Sequence, residues 1–288
     1  MNKRPATVAA TALALALTLA ACSGNGDSAD SNGSSAAPGT TVSHIHGLGL
    51  DPADQHLYVA THEGVYTPDA KGEPQLVGDS KDDFMGFTVA GDKTFYASGH
   101  PTSGGNKGLI RSTDAGETWE ALSLSGESDF HALESAHGTV YGYDSTNGLV
   151  RTTKDGVSWR EGARLEALDI AVSPTDPRVV LATTAEGVAR SSDGGKTFAP
   201  GKEPVMAFLT WTAKDGLYGI DTSGGLNRST DGGTTWKKVS TVPGGRPQAL
   251  TAVGAEHVLA ATQAGVFESK DGGRTFKKRL AVTSTGGH

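Results

Sequence analysis

From residue 42 onward the chain alternates between short apolar runs and polar clusters rich in Gly, Asp, Ser and Thr. Six runs open successive units: HIHGLGL (44–50), DFMGFTV (83–89), DFHALES (129–135), ALDIAVS (167–173), VMAFLTW (205–211) and QALTAVG (248–254). A second run follows each: LYVATH, TFYASGH, TVYGYD, RVVLATT, GLYGID and VLAAT. No helical apolar spacing lies between them, and turn residues bound them, so they read as strands. Each unit then predicts a short third strand, a tight turn and a fourth strand.

The turn is the most regular feature. Its copies are Ser112-Thr-Asp-Ala-Gly-Glu-Thr-Trp119, Thr152-Thr-Lys-Asp-Gly-Val-Ser-Trp159, Ser191-Ser-Asp-Gly-Gly-Lys-Thr-Phe198, Ser229-Thr-Asp-Gly-Gly-Thr-Thr-Trp236 and Ser269-Lys-Asp-Gly-Gly-Arg-Thr-Phe276. The terminal aromatics step by 40, 39, 38 and 40 residues. A fixed period of that length signals a repeat architecture, and four short strands per repeat make one propeller blade. Units starting near 42, 82, 127, 165, 203 and 246 fill residues 42–282. The predicted fold is all-β: a six-bladed β-propeller of four-stranded blades. Ring closure removes exposed sheet edges, and a monomer is expected.

The pattern resembles the Asp-box, or BNR, repeat of sialidases and related propellers, Ser-x-Asp-x-Gly-x-Thr-Trp. Its carboxylate (Asp114, Asp193, Asp231, Asp271) is expected to accept backbone N–H bonds in the turn. Its glycine supplies a positive φ, and its aromatic packs against the blade or its neighbour. Lys154 replaces the Asp in the second copy, which predicts a turn held less firmly. A degenerate sixth copy lies at Thr67-Pro-Asp69-Ala-Lys-Gly72. These turns read as scaffold.

The first 21 residues predict a targeting segment: Lys3 and Arg4, then an apolar run from Ala6 to Ala21. The run ends in Leu19-Ala20-Ala21-Cys22, which resembles the lipobox of bacterial lipoproteins. That resemblance implies cleavage before Cys22, lipidation of Cys22, and an extracytoplasmic protein anchored to the bacterial cell membrane. Cys22 is the one cysteine of the chain, so the sequence excludes an internal disulfide, a thiolate metal site and a Cys nucleophile. Residues 22–41 then form a polar tether of Ser, Gly, Asn and Asp that cannot bury enough surface to order itself, spanning on the order of 25 Å. Residues 283–288 are a short tail. The formal charge of −7 becomes −9 when Lys3 and Arg4, the only charges among residues 1–21, are removed. So acidic a domain argues against a nucleic-acid partner.

The candidate chemistry lies on the inner strands, which line the channel of a propeller. In register, His46, Met85 and His131 share a column with Leu168, Met206 and Gln248. Two residues earlier, on the same face by the period of 2, stand His44, Asp83, Asp129, Glu166, Pro204 and Arg246. His62 and His100 end the second strands of the first two units. These inner-strand and second-strand-end positions of the first three units hold five of the nine histidines. Imidazole, thioether and carboxylate together suit a transition metal, and Met leans toward copper. The predicted ligand-binding set is His44, His46, His62, Asp83, Met85, His100, Asp129, His131 and Arg246, with His44, His46, Met85 and His131 as metal ligands. A small polar ligand or glycan in the channel, or histidines that only pack and hydrogen-bond, remain open alternatives.

Residues 42–280 also resemble a group of bacterial lipoproteins described as glycosyl hydrolase or exo-sialidase-like, in HIHGLGLDP, VATHEGVY, MGFTVAG, ASGHP, DFHAL and YGYD. A sialidase resemblance implies an Arg triad, a Tyr nucleophile paired with Glu, and an acid/base Asp. Here Arg111, Arg151, Arg190 and Arg228 stand immediately before the turns, and Arg246 alone falls on an inner run. A two-carboxylate glycosidase needs a pair ~5 to 9.5 Å apart, for which Asp83, Asp129 and Glu166 are the candidates. Tyr141 and Tyr143 read as strand residues packed between blades. A third class is an assembly scaffold that holds a protein partner, with the 100–108 insertion as its loop.

Overall fold

The computed structural model describes residues 42–282; the predicted signal segment, Cys22, the tether and the tail lie outside the described residues. Twenty-four strands form six four-stranded antiparallel sheets, each a meander of four consecutive strands. The chain is the predicted six-bladed propeller, and the described residues contain no helix. The inner strands are Ile45–Leu50, Asp83–Gly91, Phe130–Ala136, Ile170–Val172, Phe208–Trp211 and Pro247–Val253 for blades I to VI. The second strands are Leu57–Thr61, Thr94–His100, Thr139–Asp144, Val180–Thr184, Leu217–Ile220 and His257–Thr262.

Blade I uses only N-terminal strands and blade VI only C-terminal ones, so no strand is shared where the ring closes. Side chains close it instead. Val42, Ile45, Leu48, Leu57 and Val59 of blade I pack with Ala249, Leu259, Ala261, Val266 and Leu280 of blade VI. The Ile45 N–H donates to Gln248 Oε1 at 3.3 Å.

The core consists of six apolar clusters, one at each joint between neighbouring blades. The period of a strand explains this. Leu57 and Val59 face blade VI, while Tyr58 and Ala60 face blade II. A second strand is thus covered on both faces, and its sequence reads as a continuous apolar run rather than an alternating one. Tyr141 and Tyr143 sit in the joint between blades III and IV, donating to the carbonyls of Pro177 and Leu165 at 3.2 Å each. Close to the axis the blades converge until side chains no longer fit. A Cβ on Gly47 would stand 2.8 Å from Phe87 Cβ of blade II.

The repeat turns join third to fourth strands. In the first, Ser112 Oγ accepts the Gly116 N–H (2.8 Å) and donates to Asp114 (2.7 Å). Asp114 also accepts the Thr118 hydroxyl (2.6 Å) and N–H (3.0 Å). Gly116 has φ +91°, a region a side chain would strain. The turns at Ser191, Ser229 and Ser269 repeat this pattern. The threonine hydroxyls, then the backbone donors, hold the four carboxyls below the usual carboxylate range. Asp69 fills the matching place in blade I, accepting N–H bonds from Lys71 and Glu73 at 2.7 and 2.9 Å.

The turn of blade III corrects one expectation. Lys154 does not loosen it, because Asp155 takes over. Asp155 accepts the Thr153 hydroxyl (3.0 Å) and the N–H groups of Val157 (2.9 Å) and Ser158 (2.7 Å). The Gly156 N–H donates to Thr153 Oγ1 at 2.9 Å, as its counterparts do to serine. The same contacts close one residue sooner.

Candidate metal centre at one mouth of the channel

Antiparallel pairing sets the two faces of the ring apart. Inner strands start, and second strands end, on one face; the repeat turns between third and fourth strands lie on the other. His44, His46, Asp83, Asp129 and His131 come from inner-strand starts, and His62 and His100 from second-strand ends. All seven therefore reach the same mouth.

A bulge aims the inner-strand residues. Pairing skips one residue between Ile45 and Gly47, Phe84 and Gly86, Phe130 and Ala132, and Pro247 and Ala249. The skipped residues are His46, Met85, His131 and Gln248. A bulged residue leaves the ladder, and its side chain is re-aimed. Blades IV and V have no such break, since their inner strands begin only at Ile170 and Phe208. Leu168 and Met206 consequently leave the expected column. Leu168 is half exposed before its strand, and Met206 is buried in the joint between blades IV and V.

At blade I the rings of His44 and His46 stack in parallel, 4.7 Å between centroids, and His62 stands edge-on to His46 at 4.4 Å. His46 Nε2 lies 3.3 Å from His62 Nδ1 and 3.8 Å from Asp83 Oδ1 of blade II; His62 Nδ1 lies 3.1 Å from the same oxygen. The 3.1 Å approach is misaligned, and Asp83 Oδ1 is buried without a hydrogen bond. Burial pushes the His46 imidazolium down to about 3, helped by His62, His44, His131 and His100 in that order. Burial lowers His44 too, with His62 adding to the effect and Asp83 opposing it. His46 is therefore neutral at physiological pH, with a lone pair free.

One blade on, Asp129 is buried and His131 Nε2 lies 2.6 Å from its Oδ2. His100 Nε2 lies 3.4 Å from the same oxygen, and its Nδ1 is 2.9 Å from the Gly105 carbonyl. The insertion 100–108 holds that carbonyl in place: Lys107 pairs with Asp82 at 2.6 Å and Asn106 reaches Thr146 at 3.2 Å. Met85 is half-buried at its bulge. Arg246 is exposed, one residue before the inner strand of blade VI, and forms no ion pair among the described residues. Glu166 is likewise exposed ahead of its strand.

The three atoms His46 Nε2, His62 Nδ1 and Asp83 Oδ1 form the one group of three His, Cys, Asp or Glu donors converging within 4.8 Å among the described residues. A tetrahedral ion with bonds of ~2.0–2.1 Å spaces its ligand atoms about 3.3–3.4 Å apart. The observed edges of 3.1, 3.3 and 3.8 Å bracket that value.

Below this mouth runs a channel of about 390 Å³ that holds two carboxyls absent from the sequence-based set, Glu134 and Asp169. Part-exposed to the channel but surrounded by protein, they are pushed up by desolvation, Glu134 to about 8 with Asp169 adding to the effect, and Asp169 to about 7. Asp169 also accepts the Leu209 N–H of blade V at 2.8 Å. An acid inside an apolar strand, as in DFHALES and ALDIAVS, was the signal available in the sequence.

No protein-family model matches the chain, and no curated protein is similar to it in sequence. Among solved structures it is similar to a GH74 enzyme of Niastella koreensis, with TM-score 0.62 and 15% identity over 84% of this chain. That match covers 46% of the enzyme, so the chain spans under half its length. A gluconolactonase from Xanthomonas campestris matches with TM-score 0.65 and 14% identity, over 80% of this chain and 87% of that one. YCF48 bound to D1 peptide matches with TM-score 0.54 and 18% identity, over 84% and 82%. At these identities what the chain shares with its neighbours is the propeller fold.

Proposed function

We propose that this chain is a lipid-anchored, extracytoplasmic propeller that binds a divalent transition-metal ion at one mouth of its channel, through His46, His62 and Asp83. The carrying observation is the triangle of ligand atoms, spaced close to what a tetrahedral ion requires and including a buried carboxylate oxygen with no hydrogen bond. Two imidazoles and a carboxylate suit Zn(II) and Cu(II), and a thioether from Met85 would favour copper. His44, exposed and stacked on His46, leaves the fourth position to itself or to water. The anchor rests on Lys3, Arg4, the apolar run and Cys22; Cys22→Ala should move the chain from the membrane to the soluble fraction.

The test is elemental analysis followed by titration of Zn(II), Cu(II) and Cu(I) into wild type and His62→Ala. Loss of one ion in the variant is the expected result. Unchanged stoichiometry and affinity would refute this centre.

A glycoside-hydrolase reading draws on the likeness to the GH74 enzyme and on Glu134 and Asp169, channel carboxyls of the kind that protonate a leaving group. It predicts turnover of an aryl glycoside that Glu134→Gln abolishes. No turnover across a panel of such substrates ends it.

A further inference from the structure

The fourth strands form the rim of the ring, and those of blades V and VI differ from the rest. The two residues after the turn aromatic are Glu120-Ala121 in blade II, Arg160-Glu161 in blade III and Ala199-Pro200 in blade IV. In blades V and VI they are Lys237-Lys238 and Lys277-Lys278. All four lysines are exposed, and none forms an ion pair among the described residues. Lysine does guard sheet edges against pairing. Elsewhere on this ring Pro74, Glu120 and Pro200 meet that need, so an edge alone does not call for two lysine pairs.

The charge is gathered in one place. Residues 225–241 and 265–281, the third and fourth strands of these blades with their turns, hold eight Lys and Arg against three Asp and Glu, a formal net of +5. Residues 1–41 hold two charges of each sign, so residues 42–282 carry −7 and the rest of the propeller −12. The three acids are occupied: Glu268 by Arg279 and His257 at 2.7 Å each, Asp231 and Asp271 by the hydrogen bonds of their turns. The two rims are also continuous. Ser240 Oγ of blade V donates to the Gly273 carbonyl of blade VI at 2.5 Å. Lys237 pairs across the strands with Arg228, whose guanidinium reaches Glu256 of blade VI at 3.9 Å. Lys278 lies over Phe267, in the joint between the same blades. Lys237 and Lys278 thus flank one joint from opposite sides.

We propose that the rim of blades V and VI is a docking surface for an anionic phospholipid bilayer. The inference rests in part on the lipid-anchored reading, which brings such a surface within reach. Charge complementarity carries it. An anionic bilayer attracts the basic rim and repels the acidic remainder, so it selects an orientation as well as binding the chain. Lysine ammonium groups on flexible stems can follow headgroups without a rigid pocket. Both lysine pairs begin their fourth strands, on the face of the repeat turns and away from the histidine mouth. Docked by this rim, the propeller keeps the proposed metal centre open to solvent.

The experiment sediments the chain from residue 23, which keeps every described residue and carries no acyl chain, with vesicles of phosphatidylcholine alone or mixed with phosphatidylglycerol. Wild type should bind the mixed vesicles and not the neutral ones, and should be released at high salt. Lys237→Gln/Lys238→Gln/Lys277→Gln/Lys278→Gln should weaken partitioning by a factor on the order of 10²–10³. Lys81→Gln/Lys154→Gln/Lys196→Gln/Lys202→Gln removes the same charge from exposed positions on other blades and should keep most of the binding. Circular dichroism melts confirm that both variants fold. No binding to mixed vesicles, equal binding to neutral ones, or equal loss in the two variants overturns the docking surface. The lysines are then left to guard an edge or to meet an acidic protein. Fractionation of Cys22→Ala at high salt, where the rim lets go, tests the anchor by itself, so the two readings fail separately.

Discussion

Replacing Asp83 by Asn separates a ligand from a structural residue, because the two roles predict opposite patterns of stability. An ion that binds only the folded chain stabilises it by about 2.7 kcal/mol at a free concentration of 100 Kd. For a domain of about 240 residues, each kcal/mol shifts Tm by roughly 2–4 °C, so Zn(II) should raise the wild-type Tm by about 5–11 °C. Without metal, Asp83 Oδ1 is buried with no hydrogen bond, and His62 approaches it misaligned. Asn keeps the shape and removes the charge, so the metal-free variant should melt within about 1 kcal/mol of wild type, on either side. The ion-dependent increment should vanish. The assay is a pair of calorimetric scans per protein, one with EDTA and one with buffered Zn(II). If Asp83→Asn lowers Tm equally in both, Asp83 is a structural residue and the centre is misassigned. If the increment survives the substitution, the ion binds elsewhere.

In blade III, Asp155→Ala should lower Tm while Lys154→Ala leaves it unchanged, because Asp155 accepts the three turn bonds; thermal melts showing the reverse would restore the looser turn. Glu134 and Asp169 tie stability to pH. A carboxyl whose folded-state value is raised keeps its proton in the folded chain after the unfolded chain has lost it, so stability falls as pH rises through that window. The window runs from the ordinary carboxylate range to about 7 for Asp169 and about 8 for Glu134. His46, held neutral by burial, acts with the opposite sign below 6.5. Urea melts between pH 6.5 and 8 should therefore show wild type losing stability and Glu134→Gln losing less; equal slopes would refute the burial of Glu134.

Much of the fold was legible because its information is local. The turn period of about 40 residues counts the blades, and the turns close on hydrogen bonds among seven consecutive residues, as Ser112 to Thr118 show. The continuous apolar second strands follow from burial on two faces. The site was partly legible for the same reason: His46, Met85 and His131 share a bulge whose register the apolar runs reveal. The column failed at Leu168 and Met206, where regular pairing, with no bulge, starts the strand later. Asp155 was missed because a turn closing one residue sooner cannot be told from a substituted one by alignment alone.

The sequence by itself determined the repeat, the blade count, the turn chemistry and the concentration of histidines in three blades, since each depends on neighbours within one repeat. The ring decided the rest. Which histidine meets which carboxylate depends on how far one blade is rotated against the next, and that angle is set by side chains packed at the joints. His46 and His62 of blade I meet Asp83 of blade II, and His100 of blade II meets Asp129 of blade III. Glu134 and Asp169 likewise became neighbours only when the inner strands converged on the axis. Partners separated by a blade boundary lie tens of residues apart in the chain, where no local periodicity ties one to the other.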